Sequence, residues 1–178
     1  MEKQTKIGFV EIKKGVKIMV DARQMKQAKM AYARLCEMLE KRGWKYDKNE
    51  EEMSITSGAK GEDLPVDILM KVDGERMLVA LYSKLPYVVP EDKRVELAIA
   101  ISVINNALVD GCFDYNPFNG NIVFRLTTSI MESHISKEAF EYMLLVSCQT
   151  VDIYNDKLLM VIKGVMSLED LMKFIMEK

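Results

Sequence analysis

Histidine is almost missing from this chain, with His134 alone among 178 residues. A nucleophile–histidine pair needs a Cys or Ser held beside the imidazole and a carboxylate to orient it. No spacing around Glu132-Ser133-His134-Ile135 supplies that set. Cysteine is scarce as well. Cys36, Cys112 and Cys148 are odd in number, far apart and form no C-x-x-C pair, which argues against a disulfide framework and, with a single histidine, against zinc. Each sits among apolar residues (ARLCEML, DGCFDY, LVSCQT), where a free thiol in a reducing compartment behaves as a small buried hydrophobe. Also absent is any run of about 18 apolar residues, the length a membrane-spanning helix requires. The opening MEKQTKIGFVEIKKGVKIMV mixes Glu and Lys throughout and lacks the apolar core and cleavage site of a signal peptide, so a cytoplasmic location is expected. No phosphate loop is present. Gly58 and Lys60 lie in Ser57-Gly-Ala-Lys-Gly-Glu-Asp63, but the order G-x-x-x-x-G-K-[ST], which converges amides, lysine and hydroxyl on one phosphate chain, does not occur. Paired carboxylates such as Glu91-Asp92 and Glu169-Asp170 stand at helix starts, where the helix dipole already accounts for them. No catalytic residue, metal site or cofactor is therefore expected.

What remains is an ordinary globular composition, 49% hydrophobic and 29% charged, in a length suited to one domain with a substantial core. The net charge of −2 conceals a segregation. Residues 1–48 carry 13 Lys+Arg against 6 Asp+Glu, while residues 49–178 carry 12 against 21. The basic first quarter has three readings: a nucleic-acid contact, a solvated helix face, or pairing with the acidic remainder within one chain or across a dimer.

Residues 6–20 alternate imperfectly around Lys14-Gly15 and suggest a β-hairpin. From Arg23 to Arg42 the period becomes helical, with Met25, Ala28, Tyr32, Leu35, Cys36 and Leu39 on one face and Gly43 as the stop. Three strand-like runs follow, Met53 to Thr56, Val66 to Val72 and Met77 to Ser83, the last two joined by Asp73-Gly74, a hairpin signal. Pro90, Glu91 and Asp92 open a helix that runs to about Asp110 and is apolar on more than one face. It is expected beneath a sheet, or between a sheet and a second subunit. A second β pair, Cys112 to Tyr115 and Ile122 to Thr128, turns at Asn119-Gly120. Ser136 caps a long helix reaching toward Ile162, with Asn155-Asp156 as a point of interruption. Ser167, in S-x-x-D with Asp170, opens a short last helix.

The apolar helix ending in Asp110-Gly111, the hairpin Phe113-Asp-Tyr-Asn-Pro-Phe-Asn-Gly-Asn-Ile-Val-Phe-Arg125, and the helix ending near Val161-Ile-Lys-Gly164 carry a resemblance. In these residues and in element order over residues 23–164, the chain resembles the YbjN-like family of bacterial sensory-transduction regulators, whose fold is like that of type III secretion chaperones. The resemblance implies an α+β domain of helix, three strands, helix, two strands and helix, with an antiparallel sheet packed against helices. Residues 1–22 then form an N-terminal extension, and residues 23–178 form the domain, including the short C-terminal helix. It implies a homodimer and no catalytic residues to carry over. In secretion chaperones the related fold holds extended segments of other proteins.

Five residues mark a potential interaction surface. Trp44 follows the first helix and serves either as an interface anchor or as a lid on the sheet. Arg125, in an apolar strand, either grips a carboxylate or phosphate or pairs with an internal acid, the latter being favoured for a partly buried charge. Met25, Met30 and Met38 belong to a set of 14 methionines that either fill an irregular core or line an adaptable groove. The expected function is a non-enzymatic protein-interaction module with a regulatory or chaperone-like role. The alternatives are a nucleic-acid-binding regulator using the basic first helix, and, less favoured, a ligand pocket or enzyme. A protein or peptide partner is expected, with no membrane contact.

Overall fold

The computed structural model describes residues 22–177. The hairpin expected over residues 6–20 lies outside the described residues. Four helices and six strands follow in the order α1 Ala22–Lys41, β1 Tyr46–Asn49, β2 Ser54–Lys60, β3 Pro65–Asp73, β4 Leu78–Lys84, α2 Arg94–Ala107, β5 Cys112–Asn116, β6 Asn121–Ser129, α3 Lys137–Ile162 and α4 Leu168–Met176. The strands form one antiparallel sheet in the order β1-β2-β3-β4-β6-β5.

Alternation along the strands divides the sheet into two faces. Val66, Ile68, Met70 and Val72 of β3, Val79 and Leu81 of β4, and Ile122 and Phe124 of β6 point to one side and are buried under the helices. The opposite row, Thr56, Leu69, Tyr82, Arg125 and Cys112 in register across β2, β3, β4, β6 and β5, stays half-exposed. Apolar faces of α1 (Ala28, Leu35, Leu39) and α3 (Phe140, Leu144, Val151, Leu158) close the core. The architecture is therefore α+β, with an antiparallel sheet packed against helices, as expected.

Helix ends follow local chemistry. The side chain of Ser136 accepts from Ala139 N, and Ser167 with Asp170 makes the reciprocal capping box. Gly43 and Gly164 take positive φ just beyond helix ends, and Gly111 does so immediately before β5, the conformation only glycine adopts without strain.

Four expectations are corrected. A fourth strand, β1, precedes the three foreseen, pairing Tyr46 to Asn49 with β2. The β3–β4 connection is not a two-residue turn at Asp73-Gly74. Asp73 Oδ1 accepts from Glu75 N and Arg76 N, and the loop closes through Met77 at φ 52°. The long helix continues through Asn155-Asp156 without a break. Finally, α2 ends at Ala107 rather than Asp110 and buries only one stripe, Leu97, Ala100, Ile101 and Ile104. Val95 and Ile99 on its other side are 77% and 45% exposed.

Candidate interaction surface

Arg125 is the best-defined polar group on the uncovered sheet face. Its Nε donates to Asp114 Oδ2 at 2.6 Å and its Nη2 to Asp114 Oδ1 at 3.1 Å, a two-pronged pair across the β5–β6 hairpin. The Asp114 hydrogen bonds hold the guanidinium above its ordinary range, against the opposing effect of burial. Arg125 is thus matched inside the chain, and of its two readings the internal pair is the one realised. Its Nη2 also reaches Cys112 Sγ at 3.3 Å. Burial and Asp114 nevertheless push the Cys112 thiol up, and burial pushes Cys148 up to about 11. Neither thiol is poised as a thiolate nucleophile near neutral pH.

The remaining expected surface residues scatter. Trp44 is half-buried, packs on the core and donates from Nε1 to Ser57 Oγ at 2.6 Å, while Ser57 Oγ donates on to Lys45 O. It is a lid rather than an exposed anchor. Met38 is buried in the core and cannot belong to a surface, because its helical position faces the sheet. Met25 is half-buried against the β3–β4 turn, where its Sδ and Cε crowd Gly74. Met30 alone of the three is exposed. Met70 and Met77 are fully buried and Met143 nearly so, which makes these core filler, whereas Met131, Met172 and Met176 are exposed like Met30 but line neither α1 nor the sheet.

Among the described residues, both sheet edges are blunted against an added strand. At β5, Asn105 of α2 reaches across with its amide: Oδ1 accepts from Phe113 N at 2.8 Å and Nδ2 donates to Phe113 O at 3.0 Å. The side chain thereby supplies the pairing that a neighbouring strand would otherwise provide. At the other edge β1 is four residues long and carries Asp47 and Lys48. The faces and clefts therefore offer a partner more than the edges do.

Two adjoining clefts meet at His134. One, of about 420 Å³, runs along Leu126 to Ser129 and the start of α3 to Tyr142, whose hydroxyl donates to Asp110 Oδ2 at 2.5 Å. The other, of about 560 Å³, lies between α1 and the loop before α3, lined by Arg23, Lys26, Gln27, Met30, Glu132 and His134. The exposed His134 has no cysteine beside it in either cleft. Sequence reading missed Asn105, Val95 and Ile99 as surface determinants. Only the apolar excess of α2 hinted at the last two.

No protein-family model matches the chain, and no curated protein matches it by sequence. Solved structures do match. YbjN from E. coli, a candidate transcription regulator, is 17% identical with a TM-score of 0.51, over 73% of this chain and 87% of that one. A structure of the ExsC–ExsE complex matches at 16% identity and a TM-score of 0.54, over 74% of this chain and 95% of that one. At such identities the likeness is one of fold. The chain has the α+β fold of YbjN and of the matched chain of the ExsC–ExsE complex, the fold class expected from its sequence. Among the described residues, no helix is long and apolar enough to cross a membrane.

Proposed function

We propose that this chain is a non-enzymatic protein-interaction module of the cytoplasm, acting as a homodimer in a regulatory or chaperone-like role. The observation that carries the reading is the outward stripe of α2. Val95, Ala98 and Ile99 recur at three- and four-residue steps, and all three are exposed on a helix whose other side lies in the core. An exposed apolar stripe on a helix beside the sheet edge costs solubility and is what a second subunit would cover. Support also comes from the fold, since a structure sharing it is a complex of two proteins. Chemistry finds little purchase: Arg125 is internally paired, and Cys112 and Cys148 are held neutral.

Sedimentation velocity over a concentration series tests the reading. The wild-type chain is expected to sediment as a dimer, and Val95→Glu with Ile99→Glu as a folded monomer, because two carboxylates cannot be buried unpaired in an apolar contact. A dimer unchanged by both substitutions would remove α2 as the interface. A wild-type monomer at every concentration would remove the dimer itself.

A further inference from the structure

We propose that the cleft between the first half of α1 and the Ile130–Ser136 loop is a docking groove for an acidic segment of a partner protein. The proposal rests on the reading of this chain as an interaction module. It adds the partner's chemistry and a surface separate from the α2 stripe.

Charge is the first ground. Arg23 and Lys26 line the groove, and among the described residues neither has an ion-pair partner. Lys29, exposed one turn further on, extends the same basic face. The lining sets a single carboxylate, Glu132, against them. The first turn of α1 contains no acid, and Arg23 within it sits where the helix dipole favours negative charge. This placement works against the helix and concentrates positive potential at the groove.

Shape and rigidity are the second ground. Gln27 Nε2 donates to Ile130 O at 2.5 Å and also to Ser133 O, and Arg34 Nη1 donates to Ile135 O at 3.2 Å. Three carbonyls of the loop are thus pinned to α1, more than one hundred positions away in sequence. Glu132 is held at φ 51°, a conformation that persists only when its surroundings enforce it. A wall fixed in advance lowers the ordering cost of binding. Met30, 43% exposed in the lining, offers an adaptable apolar contact beside the charges. The adjoining cleft continues from His134 along Thr127 and Ser129, which gives an extended segment room beyond the cations. Of the residues lining the cationic cleft only His134 carries an aromatic ring, which leaves successive bases no run of platforms to stack on. An acidic peptide with an apolar residue fits this lining better than a nucleic acid strand.

The test is fluorescence anisotropy on the full chain. The probes are a fluorescein-labelled peptide of about 15 residues alternating Glu and Asp with Leu, a counterpart with Lys for the acids, and a labelled oligo-dT. The acidic peptide is expected to bind saturably and the lysine peptide not to bind. Arg23→Glu with Lys26→Glu should weaken the acidic peptide by roughly tenfold or more. Met30→Gln should weaken it by roughly threefold, through loss of apolar contact. Arg23→Glu places an acid in the first turn of α1, so the melting temperature of the double variant should hold or rise, separating lost binding from lost fold. Val95→Glu with Ile99→Glu should leave peptide affinity within about twofold, since the α2 stripe lies outside the groove lining. Failure of self-association with peptide binding intact would therefore strike the dimer and not the groove. No saturable peptide binding, or binding indifferent to the charge reversal, would overturn the proposal. So would tighter binding of oligo-dT that the same reversal abolishes, which would assign the groove to nucleic acid.

Discussion

Asn105 should contribute to stability far beyond what its half-buried position on α2 suggests. Its amide makes both of the edge-facing hydrogen bonds of Phe113, at 2.8 and 3.0 Å, in a strand whose side chain at that position is 2% exposed. Asn105→Ala leaves one backbone donor and one acceptor unpaired. If water fully replaced the amide, the loss would be about 0.5–1.5 kcal/mol per bond; if water were excluded, about 1–3 kcal/mol per group. An edge strand partly sheltered by α2 lies between these limits, so a total of about 2–3 kcal/mol is expected. For a chain of this length that is a fall in melting temperature of roughly 5–10 °C. Urea unfolding followed by circular dichroism at two protein concentrations measures it. Because the substitution also uncovers a strand edge, the variant should show more concentration-dependent association than the wild type. Asn105→Asp keeps an acceptor for Phe113 N but turns a carboxylate toward Phe113 O, and should be no more stable than the alanine variant by more than about 1 kcal/mol. A loss below about 0.5 kcal/mol for Asn105→Ala, with unchanged association, would refute the reasoning, because it would mean the amide closes nothing that solvent does not already satisfy.

Two further outcomes follow from buried groups. Asn155 is fully buried in α3 with neither side-chain Nδ2 nor Oδ1 bonded among the described residues. Asn155→Leu should raise stability by about 1–2 kcal/mol in chemical denaturation, through relief of the buried amide and better helix propensity; a loss would show that the amide is satisfied by ordered water. For Cys148, burial raises the thiol from 9.0 to about 11. A raised folded value means that the neutral thiol is favoured in the native state. Its contribution is complete below about pH 9 and is lost as pH rises toward 11. Cys148→Ala should therefore flatten the fall of stability over that window. Alkylation of Cys148 near pH 8, followed by mass spectrometry, should be much slower than in the unfolded chain, and equal rates would contradict the assignment.

Much of this fold is legible in the sequence where local chemistry decides. Ser136, the Ser167–Asp170 box and Gly120 at φ 73° all behave as their neighbours dictate. Long-range contacts decide the rest. Strand β1 reads Tyr-Asp-Lys-Asn, with no apolar alternation, because an edge strand half in solvent requires none. Asp73-Gly74 carries a turn signal, yet Asp73 pairs with Leu78 and its Oδ1 holds the Glu75 and Arg76 amides, so the reversal is a four-residue loop that closes at Met77. Asn155, a poor helix residue, stays helical because Phe140, Leu144, Val151 and Leu158 anchor α3 on both sides of it. The groove at Arg23 and Lys26 needs a loop that sequence places a hundred residues away, so neither half signals it alone. Arg125 was visible as a charge in an apolar strand, and Asp114, two residues into β5, is the partner that only register reveals.

In the proposed dimer, two of these chains join through an apolar helix face, not through their opposed charges. The direct measurement is the mass of the wild-type chain by size-exclusion chromatography with light scattering, from low to high salt. An apolar α2 interface predicts twice the chain mass of 20.4 kDa throughout, because screening weakens charge pairing and leaves apolar burial intact. A mass of one chain at all salt concentrations, or a dimer that dissolves as salt rises, would contradict it.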